Sequence, residues 1–334
     1  MISLVNTTHD LIDTIAAIAD RSQLQYHEYK GFKDEELKRF FINKTLKNLN
    51  STDAVSIVAL SNTQIKGFIS IYKDAFDSEI FGFNCYRVVD LMVFSLDFSE
   101  VDLIISNLIN AVENAISSKS NRNYILYSLN NNTYNADLLF NTIIKSGFYY
   151  IHTLLTFSSH GYNQEIVSNY PDQNLIIRSA KKDDALKVSD LADKAFQYSR
   201  FFMDPYLDKE KSKQLLKISA MNSILKGFVD IMFVAEINKE VVGYYCGKKK
   251  EIKELNKTIG EATISVVDPR YRGLGLFTKL DDHLLKWFSD NADFAEMGTY
   301  LANFPVHKTW ISKNLGLIRG SHQFSRFLGK LSHE

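Results

Sequence analysis

Cysteine is nearly missing from these 334 residues: Cys85 and Cys246 are too few for a disulfide framework and stand at no metal-ligand spacing. Both fall in strand-like text, so buried thiols are expected, with no metal site. Net charge is missing too. Lys+Arg and Asp+Glu both number 39, which excludes the broad basic field that recruits nucleic acid or an anionic membrane. The short clusters Lys181-Lys182 and Lys248-Lys249-Lys250 read as solvated faces. No apolar run approaches the roughly 20 residues of a membrane span. Met1 to Asn6 lack a basic segment leading into an apolar core, so a cytoplasmic protein is expected. What remains, 45% hydrophobic and 23% charged residues, is ordinary for globular chains, and the length is comfortable for two domains.

The two halves share a pattern. Val55–Leu60, a turn at Ser61–Gln64 and Ile65–Tyr72 read as a hairpin by alternation and turn chemistry. Ile231–Glu236, the turn Ile237–Glu240 and Val241–Cys246 repeat it, with Asn62 matching Asn238 and Gly67 matching Gly243. Tyr124–Asn131, a helix and Gly147 are echoed by Glu296–Asn303, a helix and Gly316. The offset stays near one value, which points to an internal duplication of an α/β unit. The expected domains are 1–160 and 174–334, joined by the turn-rich stretch between. Helices are expected near Thr8–Ala19, around Glu35–Phe41, over Asp183–Tyr198 and over Lys209–Leu225.

One junction occurs only once. A β-branched run through Thr263, Ile264, Val266 and Val267 ends at Pro269, and Arg270-Tyr271-Arg272-Gly273-Leu274-Gly275-Leu276 leads into the helical spacing Leu280, Leu284, Leu285, Phe288. Strand, glycine loop and helix aim loop amides and the first helical N–H groups at one spot, an anion site. Glycines 273 and 275 let the backbone turn sharply and come close to a phosphate. At the matching place the first half reads Leu91-Met92-Val93-Phe94-Ser95-Leu96-Asp97, without glycine. The first half is therefore expected to be a scaffold or acceptor-binding domain.

The spacing Arg270-x-x-Gly273-x-Gly275 resembles the R/Q-x-x-G-x-G/A loop of the GNAT superfamily of N-acetyltransferases. The order of elements in the second half is also similar to that superfamily. Within it, three stretches resemble the dTDP-fucosamine N-acetyltransferases, which act on dTDP-4-amino-4,6-dideoxygalactose in cell-surface polysaccharide synthesis. These are Asp77–Phe83, Tyr198–Phe201 with Asp204-Pro205, and Gly298–Pro305. The resemblance implies two GNAT-like mixed-sheet α/β domains in tandem, the C-terminal one complete. It implies acetyl-CoA as the donor and an amino sugar, nucleotide-linked, as the acceptor, with a homodimer as the assembly considered. The alternatives are transfer to another small amine, amino acid or peptide, and a catalytically silent protein that binds coenzyme A.

For site residues the resemblance implies backbone contacts to the pantetheine and thioester beside Val266 and Val267, and pyrophosphate binding by the amides of Arg272, Gly273, Leu274, Gly275 and Leu276. Arg270 and Arg272 either add charge or face solvent. Asn303 stands where the family contacts the pantetheine arm, or caps a helix, or both. Glu261 is a candidate base for the protonated amine. The family's general acid is a Tyr seven residues after the Asn. Here that position is Trp310, whose indole N–H donates but does not ionise, so Ser312, His307 and Tyr300 are further candidates. Phe81, Arg200, Phe201 and Asp204 are expected acceptor contacts, or else a packed loop with a structural Arg–Asp pair.

Overall fold

The two halves of the chain run through six strands each, with helices at matching places apart from one extra helix in each half, in the computed structural model, which describes residues 2–118, 120–159, 174–195 and 199–330. Most of the expected linker, and Tyr198, lie outside the described residues. The first half comprises β1 (Ile2–Asn6), α1 (His9–Ile18), α2 (Asp34–Leu49), β2 (Ala54–Ser61), β3 (Gln64–Asp74), α3 (Ala75–Phe81), β4 (Asn84–Val93), α4 (Phe98–Ser117), β5 (Asn123–Asn130), α5 (Ala136–Lys145) and β6 (Tyr149–Ser159). The second comprises β7 (Leu175–Ser179), α6 (Ala185–Ala195), α7 (Arg200–Met203), α8 (Lys209–Leu225), β8 (Ile231–Ile237), β9 (Glu240–Ile252), β10 (Lys257–Val267), α9 (Leu276–Asn291), β11 (Phe294–Tyr300), α10 (Phe304–Ser312) and β12 (Gly316–Leu328).

Local chemistry explains the repeated pieces. The β2–β3 and β8–β9 hairpins turn at Asn62-Thr63 and Asn238-Lys239, all four residues with positive φ between 48° and 68°. Such turns match the right-handed twist of the strands they join. The matched glycines lie where a helix crosses the sheet: a Cβ at Gly67 would meet Ile104 of α4 at 2.6 Å, and one at Gly243 would meet Leu280 of α9 at 3.4 Å. The α4 stripe Val101, Ile104, Ile105, Leu108, Ile109, Val112 and Ile116 is fully buried on its sheet. On α9 the stripe is Leu276, Leu280, Leu284, Leu285 and Phe288. Each such side chain contributes about 1.5–3 kcal/mol on leaving water. Cys85 and Cys246 are buried and in no disulfide, as expected, and burial pushes the Cys246 thiol up.

The compact units do not coincide with the expected bounds 1–160 and 174–334. One unit is Met1–Thr153 with Arg319–Glu334; the other is Leu154–Ile318. In the first, the strand order is β1-β2-β3-β4-β5-β12, and β12 lies antiparallel to β5 from Ser321↔Asn130 to Leu328↔Asn123. In the second it is β6-β11-β10-β9-β8-β7, and β6 pairs antiparallel with β11 from Leu154↔Tyr300 to Ser159↔Ala295. Each half thus supplies the last strand of the other unit. Alternation of side chains marks β6 and β12 as strands but carries no label for the partner.

A fragment spanning residues 1–159 keeps every element of the first half yet lacks β12. It is expected to melt without cooperativity in circular dichroism, and appending residues 319–330 through a flexible linker should restore a cooperative transition. A cooperative melt of 1–159 alone would refute the strand exchange.

Candidate functional site

In the second unit, β10 and β11 run parallel for only four residue pairs, Ile259↔Phe294 to Ala262↔Met297. An irregularity between Ala262 and Ser265 then bends β10 along β9, while Gly298, Thr299 and Tyr300 of β11 stay paired with β6. Beyond Ala262 the facing edges of β10 and β11 have parted. Their backbone groups there have no ladder, in a place where buried amides and carbonyls ordinarily must be paired.

At the far end of β10 the chain closes a single turn, Pro269–Tyr271, started by Asp268, whose side chain accepts from the Arg270 N–H. Gly273 and Gly275 follow with φ of 80° and 73°. A Cβ on either would meet no atom within 4 Å, so the demand for glycine comes from backbone conformation and not from packing. Gly275 is the N-cap of α9 and has no side chain to cap with. The first bond into the helix is Lys279 N–H to the Gly275 carbonyl. Among the described residues, the amides of Gly273, Leu274, Gly275, Leu276, Phe277 and Thr278 donate to no partner. Six orphan donors at the positive end of a 16-residue helix form an anion cradle.

The first unit has the matching parallel ladder, four pairs from Asn84↔Asn123 to Arg87↔Leu126. Its helix terminus is filled from within. Asp97 caps α4 by accepting from the Glu100 N–H, and the Ser99 hydroxyl and that amide hold its carboxyl below the usual range. The carboxylate occupies the spot that the glycine loop leaves open in the second unit.

Residues 195–316 match the sequence model of the Acetyltransferase (GNAT) family. No curated protein matches the chain. Among solved structures, a GCN5-related N-acetyltransferase from Sphaerobacter thermophilus superposes with a TM-score of 0.63 at 9% identity, covering 98% of this chain and 96% of that one. A tandem GNAT protein from the clavulanic acid biosynthesis pathway gives 0.54 at 11% identity, with 99% of each chain covered. The glucosamine N-acetyltransferase region of a fungal multi-domain GH3 β-N-acetylglucosaminidase gives 0.62 at 10% identity; the match covers 98% of this chain and 38% of that one. The chain has a tandem GNAT fold.

Within the GNAT unit the sequence-expected residues separate. Val266 is buried in β10, Val267 faces α9 and Leu276 is buried in its first turn, while Arg272, Gly273, Leu274 and Gly275 are exposed along the loop. Arg270 turns back: its guanidinium bonds both oxygens of Asp268 and reaches Glu240 Oε1 at 2.8 Å, and these carboxylates raise its pKa. It braces the loop. Asn303 sits at the N-cap position of α10 without capping by its side chain; its Nδ2 donates to Thr299 Oγ1 at 2.8 Å, leaving Oδ1 to accept. Glu261 is half-buried at the root of the parting, cross-strand from Glu296, with Lys250 Nζ at 3.9 Å. A Cβ on neighbouring Gly260 would meet Phe288 of α9, so Glu261 is on the opposite sheet face. Tyr300, two alternations along from Glu296, shares that face, and its hydroxyl accepts from the Arg200 N–H at 3.3 Å. Burial keeps the Tyr300 phenol protonated, its pKa raised.

Four candidates are buried in the fold or lie apart from the parted strands. Trp310 is 1% exposed, packed on Phe157 and Phe277, and its indole N–H donates to Asp281 Oδ1 at 3.1 Å. Asp281 in turn binds Lys313 Nζ at 2.7 Å, and burial raises its pKa against the pull of that ammonium. The indole is a core strut with its donor already used. Ser312 is exposed at the C-terminal end of α10, donating to the Thr309 carbonyl, about 13 Å along the helix from Asn303. Phe81 is 2% exposed and stacked under Phe83 at 5.8 Å, so it supports a surface without forming it. Asp204 is fully buried and accepts from the Tyr206 N–H, closing the turn after α7. Arg200 lies over the Phe201 ring at 3.9 Å. His307, one turn beyond Asn303, is buried against Phe157 and Phe304, and among the described residues its Nε2 finds no hydrogen-bond partner.

Gly273→Asp should raise the dissociation constant for coenzyme A more than tenfold in calorimetry, since it sets a carboxylate among the orphan amides. Trp310→Phe, which removes the bond to Asp281 and part of a fully buried ring, should lower stability by about 1–3 kcal/mol in denaturant melts. Loss of thiol release in that variant without loss of stability would return Trp310 to the chemistry.

Proposed function

We propose that the protein is an acetyl-CoA-dependent N-acetyltransferase whose acceptor is a nucleotide-linked amino sugar of the dTDP-4-amino-dideoxyhexose type. The observation that carries the proposal is the cradle of six undonated amides from Gly273 to Thr278, at the end of a strand that has parted from its neighbour. The cradle suits a pyrophosphate, and the parted edges of β10 and β11 suit an amide-bearing arm that continues their ladders. Acetyl-CoA supplies the activated acyl group. Val266 and Val267 would line the arm, Asn303 Oδ1 would accept from one of its amides, and Arg272 would add charge at the loop.

The amine arrives protonated, and Glu261 is assigned to take that proton, directly or through water. Its position on the face that carries Tyr300 and Arg200 supports this, because that face is free of α9. His307 is assigned to protonate the departing sulfur in preference to Trp310 and Ser312, since among the described residues its Nε2 has no other hydrogen-bond partner. Phe201, stacked with the Arg200 guanidinium, offers an aromatic and a cation to the acceptor. The amino-sugar class rests on the resemblance of Ser199–Pro205 and Gly298–Pro305 to the dTDP-fucosamine enzymes. The unit without the glycine loop is assigned to scaffold and acceptor binding, because Asp97 fills its helix terminus.

The test is thiol release from acetyl-CoA with dTDP-4-amino-4,6-dideoxygalactose, glucosamine and a panel of small amines. Turnover is expected with the nucleotide sugar, and Glu261→Gln should lower kcat about 100-fold with coenzyme A affinity unchanged. Turnover of simple amines alone would move the acceptor to another class. Coenzyme A binding without any turnover would make the protein a silent binder.

A further inference from the structure

A cavity of about 600 Å³ opens in the unit that lacks the glycine loop, between α3 and the turn leading into β5. Local chemistry shapes its walls. Asp74 caps α3, Gly82 ends it with φ of 74°, and Arg87 pins Asp74 and Asp77 from β4. The volume is in the range of small-ligand sites.

The residues around it are mostly of polar type and include two cations, Lys73 and Arg122, against one carboxylate, Glu79. Lys73 is half-buried and, among the described residues, pairs with no carboxylate, the adjacent Asp74 being held by Arg87. An ammonium in a concave wall gains from an anion brought to it. Arg122 lies over the rings of Phe83 and Phe327, at 5.5 and 5.9 Å from their centroids. A guanidinium fixed by stacking is pre-organised to grip a phosphate in two parallel bonds. The other groups suit hydroxyls. Asn84 Nδ2 donates to Asn123 Oδ1 at 3.2 Å, which orients the amide and leaves its oxygen to accept. The exposed Glu79 carboxylate and the Asn121 amide add an acceptor and a donor–acceptor pair.

We propose that this cavity binds a phosphorylated sugar, with Lys73 and Arg122 on the phosphate and Glu79, Asn84 and Asn121 on the ring hydroxyls. The site is distinct from the amide cradle and does not depend on acetyl transfer.

Titration calorimetry on the full chain without acetyl-CoA, using glucose 1-phosphate, inorganic phosphate and glucose as separate probes, tests it. Saturable binding of glucose 1-phosphate is expected, at least tenfold tighter than either phosphate or glucose. Lys73→Glu should abolish it and Asn121→Ala should weaken it severalfold, with melting temperature and coenzyme A affinity unchanged in both. No saturation by about 10 mM, equal affinity for phosphate alone, or indifference to Lys73→Glu would overturn the proposal. Since coenzyme A binding is read separately, failure here leaves the acetyltransferase proposal standing, and the converse also holds.

Discussion

Everything distinctive about the second unit follows from the point where β10 stops pairing with β11. A parallel ladder of four residues ends at Ala262, and an irregularity carries the rest of β10 along β9 alone. β11 continues because β6 pairs with its other edge as far as Tyr300. Two strand edges therefore face each other without hydrogen bonds, which a folded protein tolerates only where something else supplies them. The same departure delivers β10 to the glycine loop and α9, so the parted edges and the orphan amides belong to one continuous piece of backbone.

The two units put one fold to different use at a single helix terminus. Both have the four-residue parallel ladder and the hydrophobic helix packed behind it. In the first, Asp97 brings its own negative charge to the amides of α4. In the second, Gly275 offers no side chain and a positive φ, and the amides are left for a ligand. A carboxylate and a bound phosphate solve the same electrostatic problem, so one unit is closed by its sequence and the other is open.

Behind the loop, charge is spent on rigidity. Arg270 is committed to Asp268 and Glu240, and Trp310 and Lys313 are committed to Asp281. These bonds tie the loop to β9 and α9 to α10. Arg270 and Trp310, which a motif alone assigns to phosphate binding and acid catalysis, are thus each bonded to carboxylates of the surrounding frame.

The sequence by itself determined the elements governed by neighbours in the chain. The Asn-led hairpin turns, the helix Lys209–Leu225, the repeat of element order and the Gly273–Gly275 junction were all legible, because turn chemistry and periodicity act over a few residues. Tertiary structure alone decided which strands pair, exchanging β6 and β12 between units, since alternation names a face and not a partner. It also decided what each candidate side chain does. Trp310, Asp204 and Phe81 looked like chemistry in the sequence and are buried in the fold, whereas Glu261 is half-buried and Gly273, Leu274 and Gly275 are exposed. Burial and hydrogen-bond commitment are properties of packing between distant segments, and no local pattern encodes them.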